Sequence, residues 1–151
     1  MFEDVTIWIE ASIRKYFQSA GLGLPVTFLQ QGEEKEPDTS KGKINILTTG
    51  PNFINQGSRG EIYALVMVEC FIETPFIDSD VFYHQRIKAR VLECMQKPIP
   101  VKRVGHTSYD KSEYGFLKQV PTESIDIFPV SVKNPVSTSV VQSYKLELCN
   151  G

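Results

Sequence analysis

The sequence predicts an α+β fold: a mostly antiparallel sheet with a long central hairpin strand and two helices packed on one face. The main evidence is the stretch 60–74, GEIYALVMVECFIET, in which side chains of different character alternate at a period of two. Two other stretches, 4–20 and 80–97, repeat apolar residues at helical spacing instead. Short strand-like runs fill most of the remainder, and sequential strands with segregated helices are typical of this class.

The long strand is apolar on both of its faces, which is unusual for a strand half buried in a monomer. At about 3.3 Å per residue it would span about 46 Å, whereas a domain of this size is roughly 38 Å across. We therefore expect its second face to contact another subunit. Cover by a helix of the same chain, or division into two strands, remains open. The first face carries Ile62, Ala64, Val66, Val68, Cys70 and Ile72, and the second carries Tyr63, Leu65, Met67 and Phe71 between Glu61, Glu69 and Glu73.

Composition limits the classes of protein to which the chain can belong. Its 151 residues predict one domain, 1–151. A net charge of −2 gives no electrostatic signature of nucleic-acid binding. No apolar run approaches the roughly 20 residues of a membrane span, and the acidic start MFEDVTIWIE is not expected to be a secretory signal, which points to the cytoplasm. Cys70 and Cys94 fall on apolar faces, where we expect buried reduced thiols, and Cys149 lies near the C-terminus.

The first helix is predicted over 4–20, with Asp4 as its N-cap and Glu10 paired with Arg14 on its outer side. Gly21 and Gly23 are typical of its end. Trp8 is interpreted either as a core residue or as an interface anchor. The apolar side is formed by Val5, Ile9, Ile13, Tyr16, Phe17 and Ala20.

Strands are predicted over 26–30 and 43–49, with Ile44 and Ile46 inward and a mobile polar surface loop, 31–42, between them. The segment 50–60, GPNFINQGSRG, is predicted to be the hairpin tip. Phe53 and Ile54 would then be docking residues on an exposed loop, unless they fold back over the core. The glycines lack the spacing of a phosphate-binding loop.

The second helix is predicted over 80–97, capped by Asp78 or Ser79, with Ile87, Val91, Cys94 and Met95 inward. Its basic remainder is either solvated, or faces phosphates, or meets acids such as Glu69 and Glu73 on a neighbouring molecule. That remainder consists of Arg86, Lys88, Arg90 and Lys97.

The last third of the chain predicts an edge strand within 99–104, because Pro100 cannot complete a central ladder. A loop is predicted over 105–123, followed by a strand over 124–130 with Ile125 and Ile127 inward. The final strand, 137–148, alternates most regularly. Its apolar face is predicted to hold Val140, Tyr144, Leu146 and Leu148.

Catalytic residues are the weakest part of the sequence pattern. A hydrolase would draw on His106, Ser108, Asp110 and Glu113, but no G-x-S-x-G turn occurs. A metal held by His84 and His106 with Asp78 or Asp80 would lack the paired spacing of known sites. We therefore predict neither catalysis nor a cofactor, and a small hydrolase-like or metal-dependent enzyme stays an alternative.

The order of elements resembles the tail terminator, or tail completion, proteins of tailed bacteriophages. Four stretches carry the resemblance: 13–17 (IRKYF), 57–61 (GSRGE), 82–96 (FYHQRIKARVLECMQ) and 141–148 (VQSYKLEL). The resemblance is one of layout and length over almost the whole chain, without an invariant motif. Another neck protein of the same particle, a head–tail adaptor or stopper, is the alternative of this kind.

The resemblance implies a non-enzymatic virion protein, assembled in the host cytoplasm, that forms a hexameric ring at the head-proximal end of the tail. Such a ring caps the tail tube and ends its polymerisation. Its partners would be further copies of itself, the tail tube protein, the head connector or stopper protein and, in contractile tails, the sheath protein. DNA would pass through the lumen without specific binding, and no membrane is involved. The candidate ring-interface residues are Tyr63, Leu65, Met67, Phe71, Phe53, Ile54, Arg86 and Arg90.

Overall fold

A computed structural model describes residues 2–29, 41–56, 61–103, 113–120 and 125–148. These residues form two helices and one mixed seven-stranded sheet, so the predicted α+β class is confirmed. In chain order the elements are α1 (Phe2–Gln18), β1 (Val26–Phe28), β2 (Lys43–Gln56), β3 (Glu61–Thr74), α2 (Tyr83–Met95), β4 (Ile99–Lys102), β5 (Glu113–Gln119), β6 (Asp126–Ser131) and β7 (Val136–Leu148).

The long strand β3 lies in the middle of the sheet, whose strand order is β1-β2-β3-β7-β5-β4. It pairs in antiparallel fashion with β2 on one side and with β7 on the other. The far edge of β7 is shared, because β6 pairs with its first half and β5 with its second half. Among the described strands, β1 alone is parallel to its neighbour, β2. Most of the length of β3 is therefore hydrogen-bonded on both edges.

One side of the sheet, here called the inner face, is closed off from solvent. On β3 it consists of Ala64, Val66, Val68, Cys70 and Ile72, none more than 1% exposed. The pairing register places Ile44 and Ile46 of β2 directly opposite Ile72 and Cys70. The buried sides of both helices join the same cluster, which predicts that burial of this apolar surface provides most of the favourable folding free energy.

Helix α1 begins earlier than predicted, because Asp4 lies inside its first turn and is not its N-cap. Val5, Ile9, Ile13 and Phe17 are buried as predicted. Two predicted members of the apolar side differ: Tyr16 is half-buried, and Ala20 is exposed beyond the end of the helix.

Two side-chain contacts of α1 concern residues that the sequence analysis singled out. The pair of Arg14 Nε and Glu10 Oε1 forms at 3.4 Å, as predicted. Trp8 is partly buried and packs edge-on against Tyr114, with the ring centroids 5.0 Å apart, which fits its interpretation as a core residue.

Helix α2 is shorter than predicted, and neither Asp78 nor Ser79 caps it. Phe82 occupies the N-cap position without a side-chain hydrogen bond. The inward residues Ile87, Val91, Cys94 and Met95 are buried as predicted. Hydrogen bonds tie the end of the helix to the inner face, because the Tyr144 hydroxyl donates to the Met95 carbonyl at 2.8 Å.

Two stretches predicted to be loops contain strand. Strand β2 continues through 50–56, passing an irregularity between Thr49 and Asn52 at Gly50, whose φ is 102°. Gly50 permits this because a positive φ costs glycine little. Residues 113–119, placed in the predicted loop 105–123, form β5.

Smaller differences concern strand ends and orientation. Strand β1 ends at Phe28 and not at 30. Pro100 lies in β4, at the end of the strand order, as predicted. The register places Ile127 opposite Val140, and Leu148 on the same side of β7 as Tyr144 and Leu146, so both are on the predicted side of the sheet. They lie beyond the covered part of that side, however, because Ile127 is 44% exposed and Leu148 is 57% exposed. The predictions for 31–40, 57–60, 104–112, 121–124 and 149–151 lie outside the described residues.

Candidate self-association surfaces

The side of the sheet opposite the inner face, here called the outer face, carries the second set of β3 side chains. Leu65 and Phe71 are half-buried, and Met67 is 40% exposed. These three candidate residues therefore share one surface at the centre of the sheet, as the sequence predicts. Apolar side chains at a sheet centre with solvent access are typical of a surface that meets another molecule.

The pairing register extends this surface over four strands, because directly opposed residues point to the same side of a sheet. Phe71 lies opposite Ser139 of β7, and Ser139 lies opposite Phe128 of β6. Two residues along each strand, on the same face, the next row contains Glu69, Val141 and Asp126. At about 4.8 Å between strands, the distance from β2 to β6 is about 14 Å. We call this area the outer patch: Leu47, Met67, Glu69, Phe71, Asp126, Phe128 and Val141.

The outer patch carries excess negative charge. The Ser139 hydroxyl donates to Glu69 Oε1 at 2.7 Å, which orients the carboxylate but leaves its charge. Within the described residues Asp126 forms no ion pair. Beside the patch, Glu73 is balanced by Lys43, whose Nζ lies 3.4 Å from Glu73 Oε2. Glu69 and Asp126 are therefore the unbalanced charges of this surface.

Strand β6 and the residue after it expose more apolar surface than the sequence predicts. Phe128 is 53% exposed, Val130 is 56% exposed and Val132, just after the strand, is 84% exposed. Among the described residues β6 pairs with β7 alone, so its other edge has no strand partner. Pro129 lies within it and lacks a backbone N–H, which is typical of an edge strand and limits extension of the sheet by another strand.

A second surface lies on α2, on the other side of the sheet. Residues spaced by three or four along this helix share one face. Four such residues are exposed, together with Phe82 at the N-cap and Lys97 just beyond the end of the helix. We call this face the basic stripe: Phe82, Arg86, Ala89, Arg90, Glu93 and Lys97.

The basic stripe has excess positive charge. Arg86 pairs with Asp80, whereas Arg90 forms no ion pair within the described residues. With Lys97 at one end and Lys88 alongside, cations outnumber the acid Glu93. Arg86 and Arg90, both predicted interface residues, therefore lie on a different surface from Leu65, Met67 and Phe71.

The remaining candidate residues fall at the far end of the β2–β3 pair. Phe53 points to the inner face and stacks on Phe2 of α1, with the ring centroids 4.4 Å apart. It is therefore not a docking residue on an exposed tip; it folds back onto the core, the alternative left open above. Ile54 is half-buried and shares the outer face with Leu65. Tyr63 is paired with Ile54, and its side chain lies outside the described residues.

His84 is used structurally at the N-terminal end of α2. It is 9% exposed, and its Nδ1 and Nε2 lie 2.8 Å and 2.7 Å from the hydroxyls of Thr74 and Thr138. Burial lowers the pKa of His84, and the charge on Lys88 lowers it further. The ring is therefore neutral near pH 7, one nitrogen donating to a threonine and the other accepting.

The other buried titratable groups are uncharged as well. Burial raises the pKa of the Cys70 and Cys94 thiols, which are free and buried, as predicted. It also raises the pKa of the Tyr144 hydroxyl. None of these groups is poised as a nucleophile, since the thiolate is the reactive form of cysteine.

The described residues do not bring together a catalytic or metal site of the kind that the enzyme alternatives require. Both nitrogens of His84 already meet threonine hydroxyls, and Asp80 meets Arg86. Within the described ranges no three His, Cys, Asp or Glu side chains form a group that could hold a metal. His106, Ser108 and Asp110 lie outside the described residues, and Glu113 is exposed on β5.

A groove of about 310 Å³ lies between the end of α1 and β4. Tyr16 and Pro100 contribute to its walls, and Lys15 and Lys102 lie at its margin. It is separate from the basic stripe and from the outer patch, and sequence reasoning did not find it. Its parts come from segments about 80 residues apart, so no local pattern indicates it.

The exposed side chains of β6 were also missed, for a physical reason. The alternation of 124–130 correctly indicates a strand, but an apolar residue on a strand points into the core only when something covers that position. Pro129 was the available signal, since proline favours an edge position. Phe76, which is 53% exposed, was likewise not singled out.

Comparison with protein-family models and with curated proteins found no match. Among the helices in the part of the chain that the structure describes, none combines the length and apolar character needed to cross a membrane. One solved structure, whose name describes no function, is similar over 97% of this chain and 98% of its own, with a TM-score of 0.65 and 12% sequence identity. At this identity the likeness shows the arrangement of the chain alone, an α+β fold shared over nearly its full length.

Proposed function

We propose that this protein is a single-domain (1–151) virion structural protein that forms a ring, hexameric by the family resemblance, on the head-proximal end of a phage tail tube. The ring ends polymerisation of the tube and joins it to the head connector. Its partners are further copies of itself, the tail tube protein, the connector or stopper protein and, in a contractile tail, the sheath protein. It acts in the neck of the virion after assembly in the host cytoplasm, without catalysis or a cofactor.

The observation that carries this proposal is the outer face of β3. Leu65, Met67 and Phe71 lie at the centre of the sheet, yet the described part of the chain leaves Met67 40% exposed. Subunits of a ring cover such surfaces with their neighbours. The finer fold, a mostly antiparallel sheet with a long hairpin strand and both helices on one face, belongs to the same proposal.

The test begins with the mass of the purified protein, measured by light scattering over a wide concentration range, with negative-stain images of the heaviest species. Six chains of 17.1 kDa give a ring of about 103 kDa. Rings of this mass would support the proposal. A protein that stays monomeric at high concentration, and also fails to bind tail tubes, would overturn it.

The position of the ring in the neck needs a second measurement. Purified tails lacking a terminator would be mixed with the protein and imaged. Binding at one end of the tube, with further tube growth stopped, is the expected result. Binding to the head connector without binding to the tube would instead identify an adaptor or stopper.

A further inference from the structure

We infer that two copies of this chain associate head to tail, with the basic stripe of α2 in one copy packed on the outer patch of the next. This inference rests on the proposed ring and names the surfaces that close it. The two surfaces are those defined above, and they come from different sides of the same sheet.

Their placement determines the kind of symmetry. Helix α2 lies on the inner face, since His84 contacts Thr74 and Thr138, and Met95 accepts from Tyr144. The outer patch lies on the opposite side of that sheet. A contact between unlike surfaces is heterologous, and repetition of it produces a ring when the rotation closes. A two-fold dimer would instead place each surface against its own copy.

The opposite charges of the two surfaces indicate that each is covered by a second copy of this chain. Arg90 and Lys97 supply unbalanced positive charge on the stripe, and Glu69 and Asp126 supply unbalanced negative charge on the patch. Each surface would repel its own copy and attract the other surface. Complementary potentials of this kind select the partner and its orientation more than they set affinity.

Apolar contacts and dimensions agree with the same pairing. Phe82 is 64% exposed at one end of the stripe, and Phe128 is 53% exposed on the patch. Aromatic residues surrounded by polar ones are typical anchors of protein interfaces. The stripe from 82 to 97 is about 22 Å long. The patch measures about 13 Å along β3, from 67 to 71, and about 14 Å across from β2 to β6, so its diagonal is about 19 Å.

The test uses two charge-reversed variants of the full chain, a helix variant, Arg90→Glu/Lys97→Glu, and a sheet variant, Glu69→Lys/Asp126→Lys. Each loses one surface and keeps the other. We expect each alone to need a concentration about 100-fold higher than wild type for half-assembly. The matched control Lys15→Glu/Lys102→Glu makes the same charge change as the helix variant beside the α1–β4 groove, and it should assemble as wild type does.

Mixing the two variants gives the decisive measurement. In the helix variant both surfaces are acidic, and in the sheet variant both are basic, so unlike variants should attract each other at the unchanged contact and at the doubly reversed contact. The mixture should therefore recover assembly into rings of about 103 kDa, six chains of 17.1 kDa, in which the two variants alternate. Circular dichroism and thermal melting establish that both variants are folded.

The outcomes separate the inference from the proposed ring. If wild type and both variants form rings equally well, the ring stands and the assignment of its surfaces is wrong. Variants that fail to assemble alone and also fail to combine when mixed would exclude the head-to-tail contact. If the wild-type chain stays monomeric at every concentration and does not bind tail tubes, both the proposed ring and the head-to-tail contact are wrong.

Discussion

Both faces of β3 carry large apolar residues, but the two faces lie in different surroundings. Val68 on the inner face is fully buried, whereas its neighbour Met67 on the outer face is 40% exposed. The inner face is covered by helices that the chain itself supplies, and the described chain supplies no comparable cover for the outer one. Apolar character alone therefore does not identify the core; the elements available to cover a face decide it.

Among truncations, the largest loss of stability should come from the inner face. Ile72 is fully buried between Ile44 and Thr138 in the register. Ile72→Ala removes buried carbon atoms and leaves a cavity, so we expect the free energy of unfolding to fall by about 2–5 kcal/mol. Urea unfolding of the monomer, followed by circular dichroism, measures this change.

Met67→Ala is the matched control on the outer face. Because Met67 is already partly solvated, we expect the free energy of unfolding to fall by less than about 1 kcal/mol. Equal losses for the two variants would show that both faces of β3 are packed within one subunit, and the comparison between them would fail.

An intermediate effect is expected for the buried hydroxyl that joins α2 to the inner face. Tyr144→Phe leaves the Met95 carbonyl without one donor, although Gln119 Nε2 still donates to it at 2.8 Å. We expect a loss of about 1 kcal/mol in the free energy of unfolding. Tyr83→Phe removes an exposed bond to the Lys41 carbonyl and should cost less than about 0.5 kcal/mol. If Tyr83→Phe lowered the free energy of unfolding more than Tyr144→Phe does, the buried hydrogen bond would not be the stronger of the two.

The fold could be predicted from the sequence wherever a single local pattern determines the structure. The alternation in 60–74 and 137–148 and the helical spacing of Val5, Ile9, Ile13 and Phe17 were sufficient. The errors arose where local and tertiary effects conflict. Gly50 and Pro51 favour a turn, yet β2 continues past them, because the residues on both sides, Thr49 and Asn52, pair with β3 and leave these two as an irregularity.

The candidate site was predicted in part, because the sequence shows which residues are unusual but not how they are placed. Leu65, Met67 and Phe71 share one surface as their spacing predicts. Arg86 lies on the other side of the sheet, which no spacing in a single sequence indicates. Phe128 lies opposite Ser139 because β6 pairs with β7. The sequence of neither strand indicates that the two are paired.

A smaller effect, limited to acidic solution, is expected from His84. Its folded pKa is lowered by burial, so the unfolded chain takes up the proton first as the pH falls. The free energy of unfolding should therefore decrease as the pH falls through about 6.5, the ordinary histidine pKa, towards the lower folded value. Urea unfolding between pH 7.5 and about 5.5 measures the slope.

Two variants test whether His84 causes this pH dependence of the free energy of unfolding. His84→Gln keeps a donor and an acceptor for Thr74 and Thr138 but does not titrate, so the slope should be lost. His106→Gln removes the only other histidine and leaves the slope of His84 in place. If the wild-type chain became more stable as the pH fell from 7.5 to 5.5, protonated His84 would be the folded form, contrary to its burial between two hydroxyls.

The sharpest comparison comes from adding one carboxylate to each face, where the effect on stability should be smallest on the outer one. Met67→Glu places the charge where water already reaches, so we expect the free energy of unfolding to change by less than about 1 kcal/mol. Assembly should nevertheless be lost, because the contact loses an apolar side chain and must desolvate a carboxylate; Leu65→Glu should act in the same direction. Val68→Glu buries an unpaired charge and should unfold the chain, because no partner offsets its desolvation. Circular dichroism and light scattering on the same samples separate folding from assembly. If Met67→Glu unfolds the monomer as Val68→Glu does, the outer face belongs to the core of a single chain and cannot be the subunit contact.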